Sequence, residues 1–293
     1  MAVERMPMRG KICLITGATD GIGKATAFEL ARRGATLILV ARNRAKGEAV
    51  QQEIKTTCDN PSIDLLIAEL SSQASIRQLS EDVHERYTQL HILINNAGTV
   101  QLKRSETVDG LETTFAVNHL APFLLTNLLL DILKSSAPAR IINVNSNSQA
   151  GGRVPFDDLQ GKKSYNMMRA YGYSKQAQML TMYEMARQLQ GTGVTINNLH
   201  PGFVGTNIGM DNVGPIIQAI ARKILGLVGV SPEKGARTSI YLATAPEVEH
   251  VTGKYFINSI PKPSVAISYN ETLQKQMWDI SAELVHLPIS PSN

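Results

Sequence analysis

The 293 residues are 43% hydrophobic and 18% charged with a formal net charge of +4. This is the composition of an ordinary soluble globular protein, and the charge is too mild to argue for nucleic acid. Cys13 and Cys58 make no disulfide framework, and no histidine has metal-ligand spacing with another histidine or a cysteine, so no bound metal is expected. Residues 1–10 lack the apolar run of a signal peptide, and the most apolar helical stretch, 120–133, is interrupted by Pro122, Asn127 and Asp131; no transmembrane anchor and a reducing, cytoplasmic location are expected.

Residues 11–15 read as a first strand and 24–33 as a first helix, joined by Thr16-Gly17-Ala18-Thr19-Asp20-Gly21-Ile22-Gly23. A glycine turn between strand and helix aims backbone amides and a helix N-terminus at one point, which suits a pyrophosphate. Gly17, Thr19, Asp20, Gly21, Ile22 and Gly23 are the candidate positions. Residues 36–40 form a second apolar strand and 45–56 a second helix. Between them, Arg42 and Asn43 stand where an acid would accept from a ribose 2′-hydroxyl; an arginine there pairs instead with a 2′-phosphate, although a surface loop arginine would read the same.

Residues 64–68 read as a third strand, followed by Glu69-Leu70, where a carboxylate can meet an adenine amino group or simply face solvent. A third helix spans 75–87 and a fourth strand 92–94, ending in Asn95-Asn96-Ala97-Gly98; small residues there let a cofactor lie close, and the amides can tie strand ends together. A fourth helix spans 111–133, with a bend expected at Pro122. The fifth strand, 140–144, leads into Asn145-Ser146-Asn147-Ser148, whose hydroxyls can hold a substrate oxygen or cap the strand.

A fifth helix spans 171–190, and Tyr171 and Lys175 share one of its faces. A nearby ammonium lowers a phenol pKa, so Tyr171 is expected to exchange a proton near neutral pH. Tyr165 and Tyr173 have no lysine four residues on, and Met179, Met182 and Met185 read as a core stripe. A sixth strand, 195–199, runs into His200-Pro201-Gly202, followed by helices at 215–228 and 232–243, an edge strand at 255–257 and a terminal helix at 271–285. Strands alternate with helices from end to end without a linker. The expectation is one α/β domain over 1–293: a doubly wound, mostly parallel Rossmann sheet of about seven strands, with ligands at the strands' carboxyl ends.

Together these residues resemble the short-chain dehydrogenase/reductase family along nearly the whole chain. The marks are Thr16-Gly17-x-x-x-Gly21-x-Gly23, Asn95-Asn96-Ala97-Gly98, Asn118, Ser146, Tyr171-x-x-x-Lys175 and Pro201-Gly202. The stretches 156–161, 170–175, 231–236 and 278–281 are similar to its retinol-dehydrogenase-like branch. Glu69 departs from the family's usual aspartate and Asn145 from its usual serine.

The resemblance implies an NADP(H)-dependent oxidoreductase that interconverts a lipophilic carbonyl and its alcohol. Hydride comes from NADPH, Tyr171 gives the proton, and Ser146, with Ser148 in reserve, holds the carbonyl oxygen. Lys175 tunes the tyrosine and binds the nicotinamide ribose, and Asn118 supports a water leading to Lys175. Asn96, Ala97, Gly98, Pro201, Gly202, Val204 and Thr206 join the cofactor contacts, and 206–230 forms an apolar substrate lid. Members of the family often pair as homodimers through the helices after strands four and five, an arrangement that the long segment before Tyr171 can alter, and no nucleic-acid partner is expected. The competing reading is a non-catalytic NADP(H)-binding regulator, which the presence of both Tyr171 and Lys175 disfavours.

Overall fold

Continuous apolar runs become strands covered on both faces, as parallel strands require. The structure, a computed structural model, describes residues 7–151, 153–202 and 230–288. In chain order its first half comprises β1 (Ile12–Thr16), α1 (Gly21–Arg32), β2 (Thr36–Ala41), α2 (Arg44–Cys58), β3 (Ile63–Ile67), α3 (Gln73–Arg86) and β4 (Ile92–Asn95). Next come α4 (Thr113–Phe115), a π turn (Ala116–Leu120), α5 (Ala121–Leu128), α6 (Leu130–Ser135), β5 (Ala139–Val144) and a 3₁₀ turn (Asn147–Ala150). The remainder comprises α7 (Met167–Gln188), β6 (Val194–His200), α8 (Pro232–Thr244), β7 (Lys254–Ile257), β8 (Ile260–Lys262) and α9 (Glu271–Leu284). Val204, Thr206, the helix expected at 215–228 and the lid up to residue 229 lie outside the described residues.

All eight strands form one sheet in the order β3-β2-β1-β4-β5-β6-β7-β8. It is parallel except for β8, which pairs antiparallel with β7. The order reverses between β1 and β4, which opens a crevice at their carboxyl ends. Two hydrophobic clusters flank the sheet. One takes in α1, α2 and α8; the other takes in α3, α5, α7 and α9, with the expected stripe of Met179, Met182 and Met185 buried inside it.

Three elements differ from the expectation. The eighth strand follows a two-residue turn, Asn258-Ser259, in which both residues have positive φ (52° and 62°). Such a turn matches the twist of a hairpin but is usually signalled by glycine, which is missing here. The long fourth helix is four pieces, and Pro122 sits in the first turn of α5 rather than at a mid-helix bend. Proline has no N–H to give the carbonyl four residues back, which is that of Asn118. The Ala121 amide bonds instead to the Ala116 carbonyl five residues back, producing the π turn. Finally, α7 starts one turn before Tyr171, because the Asn166 side chain accepts from the Arg169 amide and caps the helix there.

Candidate active site

The glycine turn and the loop after β4 are clamped together by Thr16 and Asn96. The Thr16 hydroxyl accepts from the amides of Asn96 (3.0 Å) and Ala97 (3.1 Å). The Asn96 side-chain amide donates back to the carbonyls of Thr16 (2.9 Å) and Gly17 (3.1 Å). Gly17 and Gly21 have positive φ, 64° and 52°. A Cβ on Gly23 would lie 2.2 Å from the Gly17 carbonyl oxygen, so only glycine fits there. Asp20 caps α1, accepting from the Gly21 amide at 2.7 Å, Thr19 is partly covered, and Ile22 is buried. α1 begins just beyond the carboxyl end of β1, and the amides of a helix's first turn lack intrahelical acceptors, a donor set that suits phosphate oxygens.

Arg42 is exposed directly beyond β2, and Asn43 caps α2 by accepting from the Lys46 amide at 2.9 Å. Glu69 is also exposed, but its carboxylate closes its own turn, accepting from the Ser71 amide (3.0 Å) and hydroxyl (2.9 Å). Leu70 packs onto the core. Pro201 and Gly202 end β6, the glycine with φ 89°.

Asn118, Ser146, Tyr171 and Lys175 meet at the ends of β4 and β5. Asn118 is fully buried in the π turn; its side chain accepts from the Thr99 amide (2.7 Å) and donates to the Thr99 carbonyl (2.9 Å) and the Ser174 hydroxyl (3.1 Å). Its amide is thus spent on fixing the loop after β4 to α7. A Cβ on Gly98 would lie 3.3 Å from Asn118 Oδ1 and 3.9 Å from Lys175 Nζ, so this glycine keeps the space between them open. Lys175 is buried, and its ammonium donates to the Val144 carbonyl at 2.9 Å, 5.9 Å from the centre of the Tyr171 ring.

Burial pushes the Lys175 pKa down to about 8. Burial also raises the Tyr171 phenol above its ordinary value, and only the Ser146 side chain, within hydrogen-bonding reach, pulls the other way. This corrects the expected lowering of Tyr171 by Lys175. The ammonium is turned to a backbone carbonyl, and desolvation of the phenolate sets the direction. Ser146 rather than Ser148 faces the phenol: its hydroxyl donates back to Ser148 Oγ at 3.2 Å, with Ser148 one step behind. The rival hydroxyls are engaged elsewhere, Tyr165 donating to the Gln101 carbonyl (2.8 Å) and Tyr173 to that of Leu159 (3.4 Å).

Several supporting residues escaped the sequence reading. Asn145 donates to the Lys175 carbonyl (2.9 Å) and to Gln178 (2.9 Å), and accepts from the Ser146 amide (2.6 Å). This asparagine therefore seats both the serine loop and the lysine turn. Tyr255 on β7 donates to Asn147 (2.9 Å), whose amide donates to His200 (3.3 Å). Asn95 ties neighbouring strands as its amide was expected to, donating to Asn143 (2.9 Å), but the continuation from Asn143 to Asn198 (2.8 Å) was not foreseen. The available signal was polar residues within otherwise apolar strands.

Residues 11–214 match the family described as short chain dehydrogenase. The chain is 41% identical to retinol dehydrogenase 14 of Homo sapiens, the match covering 96% of this chain and 88% of the relative. It is 43% identical to retinol dehydrogenase 13 of Homo sapiens over 95% of this chain and 85% of that one. Among solved structures, an uncharacterised protein from Mycobacterium Paratuberculosis superposes with a TM-score of 0.78 at 27% identity, over 99% of both chains. The NADP complex of RhlG from Pseudomonas aeruginosa superposes at 0.68 and 26% identity, covering 85% of this chain and 94% of that one.

Proposed function

We propose a function for a chain that belongs to the short-chain dehydrogenase family, in its retinol-dehydrogenase-like branch: it is an NADP(H)-dependent oxidoreductase interconverting a lipophilic aldehyde or ketone and its alcohol. The observation that carries the reading is the convergence of Ser146, Tyr171 and Lys175 beside Gly98, next to the clamped glycine turn. The bound cofactor supplies the hydride. Tyr171 gives its phenolic proton to the substrate oxygen, and the Ser146 hydroxyl holds that oxygen in line. Lys175 carries the positive charge of the site, and its reach past Gly98 suits a ribose hydroxyl. Since the Asn118 side chain is engaged, any water leading to Lys175 is held by the Asn118 carbonyl, which Pro122 deprives of its helical donor. A phenol kept protonated by burial is loaded as an acid, which favours carbonyl reduction near neutral pH.

Lipophilic substrates fit the names of the relatives and the Ile, Leu and Val content of 206–230, and a retinoid, a steroid or a lipid aldehyde meets the same requirement. Among the described residues no helix is long and apolar enough to cross a membrane; a cytoplasmic location remains part of the proposal. Trp278 and Ser281 of α9 meet Phe123 on α5 and His119 on the π turn, and a homodimer through the helices after β4 and β5 stays part of the proposal. A regulator without catalysis is the weaker reading because Tyr171 and Lys175 are both present in the sequence. The test is NADPH consumption against a panel of lipophilic carbonyls, where no turnover of any member rejects the reading.

Arg42→Asp is expected to weaken NADPH binding by about 10- to 100-fold, the scale of one charged hydrogen-bonding partner. NADH binding should change little; titration of both cofactors checks this, and equal loss removes the 2′-phosphate role. The Lys175 ammonium is present below a pH of about 8 and lost above it. The kcat/KM for NADPH-dependent reduction should therefore fall as pH rises through that value. In Lys175→Arg, which stays charged, the limb should vanish from the pH profile.

A further inference from the structure

His119 occupies the π turn beside Asn118, is 1% exposed, and packs between the rings of Phe115 (5.0 Å) and Phe123 (6.1 Å). Its Nε2 lies 2.7 Å from the Ser281 hydroxyl on α9. That hydroxyl has one proton and donates it to the Met277 carbonyl at 2.6 Å, so Nε2 must be the donor to Ser281. Nδ1 is then a bare acceptor, and it has no partner. A buried acceptor without a donor costs about 1–3 kcal/mol. Burial holds the imidazole neutral, pushing its pKa down to about 3, so protonation does not relieve it at neutral pH.

The ring borders a cavity of about 20 Å³ with a mixed wall, in which Thr126, Asn143, Gln178 and Thr181 supply polar groups beside apolar Phe123 and Ile196. A space above roughly 10–15 Å³ holds one water where it offers that water two or more polar partners. A second buried acceptor without a donor, Asn95 Oδ1, lies just behind this wall: the other end of its amide donates to Thr126 (3.0 Å) and Asn143 (2.9 Å).

We propose that a single buried water in this cavity donates to His119 Nδ1, and that His119 is thereby a positioning residue. Its two nitrogens pin the π turn between α9 and the cavity wall, and the turn holds Asn118 in register with Ser174, one residue before Lys175. The positioning role rests on the catalytic reading above; the water site does not.

Nitrogen-15 NMR of the full chain should show His119 as the Nε2–H tautomer, with Nδ1 accepting a hydrogen bond and no titration between pH 5 and 8. A crystal structure should show one ordered water at Nδ1. An Nδ1–H tautomer, titration in that range or a dry cavity overturns the water site. For the positioning role, Ser281→Ala should lower kcat for carbonyl reduction about 10-fold, the scale of a small misplacement of reacting groups, with NADPH affinity unchanged. Ser281→Thr, which keeps the hydroxyl, should restore kcat. Loss of thermal stability with kcat intact overturns positioning. Failure of the wild type to reduce any carbonyl is a different result: it rejects the catalytic reading, and positioning with it, while the NMR and crystal outcomes still decide the water site.

Discussion

Tyr171→Phe is expected to lower kcat for NADPH-dependent carbonyl reduction by about 1,000-fold, within the range for loss of a positioned general acid. The substitution removes one oxygen and keeps the ring beside Lys175. NADPH affinity should therefore stay within about twofold, less than the 1.4 kcal/mol that a tenfold change represents. Single-turnover kinetics with a fluorescence titration of NADPH separates the two quantities. Loss in kcat without loss of binding identifies the phenol as the proton donor. Equal turnover by the two proteins removes Tyr171 from the chemistry, and a parallel loss of binding makes its role one of holding the cofactor.

Gly23→Ala is expected to abolish measurable NADPH binding. The added methyl would lie 2.2 Å from the Gly17 carbonyl oxygen and 2.4 Å from Asn96 Nδ2. Neither neighbour is free to give way: the carbonyl belongs to the tight glycine turn, and the amide clamps that turn to the β4 loop. The helix must back away from the turn, taking its N-terminal amides off the phosphate position. Overpacking of this kind costs about 1–3 kcal/mol of stability, readable as a lower Tm. A variant that binds NADPH as the wild type does would show that the turn is not where the phosphates sit.

The parts legible in the sequence are those fixed by spacing. Gly17, Gly21 and Gly23 occupy positions where backbone geometry admits little else, and Tyr171 and Lys175 lie one helical turn apart on α7. The parallel sheet was legible because its central strands β1, β2 and β4 are buried on both faces and carry nearly continuous apolar runs. The π turn was not, since widening a helix by one residue has no side-chain signature; Pro122 hinted at a bend but not at which carbonyls it would release. The short β8 hid behind a positive-φ turn made from Asn258 and Ser259, and Pro261 within it speaks against a strand anywhere but an edge. The direction of the Tyr171 pKa was misread because sequence gives neighbours along a helix, whereas desolvation depends on what covers the ring from elsewhere.

The row of amides from Asn95 through Asn143 to Asn198 has a consequence for how the sheet assembles. These residues are opposite partners in adjacent strands, β4 to β5 and β5 to β6. In an apolar strand a slip of one residue exchanges one methyl-rich face for another at small cost. Here a slip by one residue turns an asparagine to the other face, and a slip by two toward the strand starts leaves it opposite Ile141 or Ile196. Either way a buried amide loses its partner, and the penalty is felt by three strands at once. The ladder thus works as an alignment key, rejecting near-miss pairings of the central strands before any ligand tests their ends.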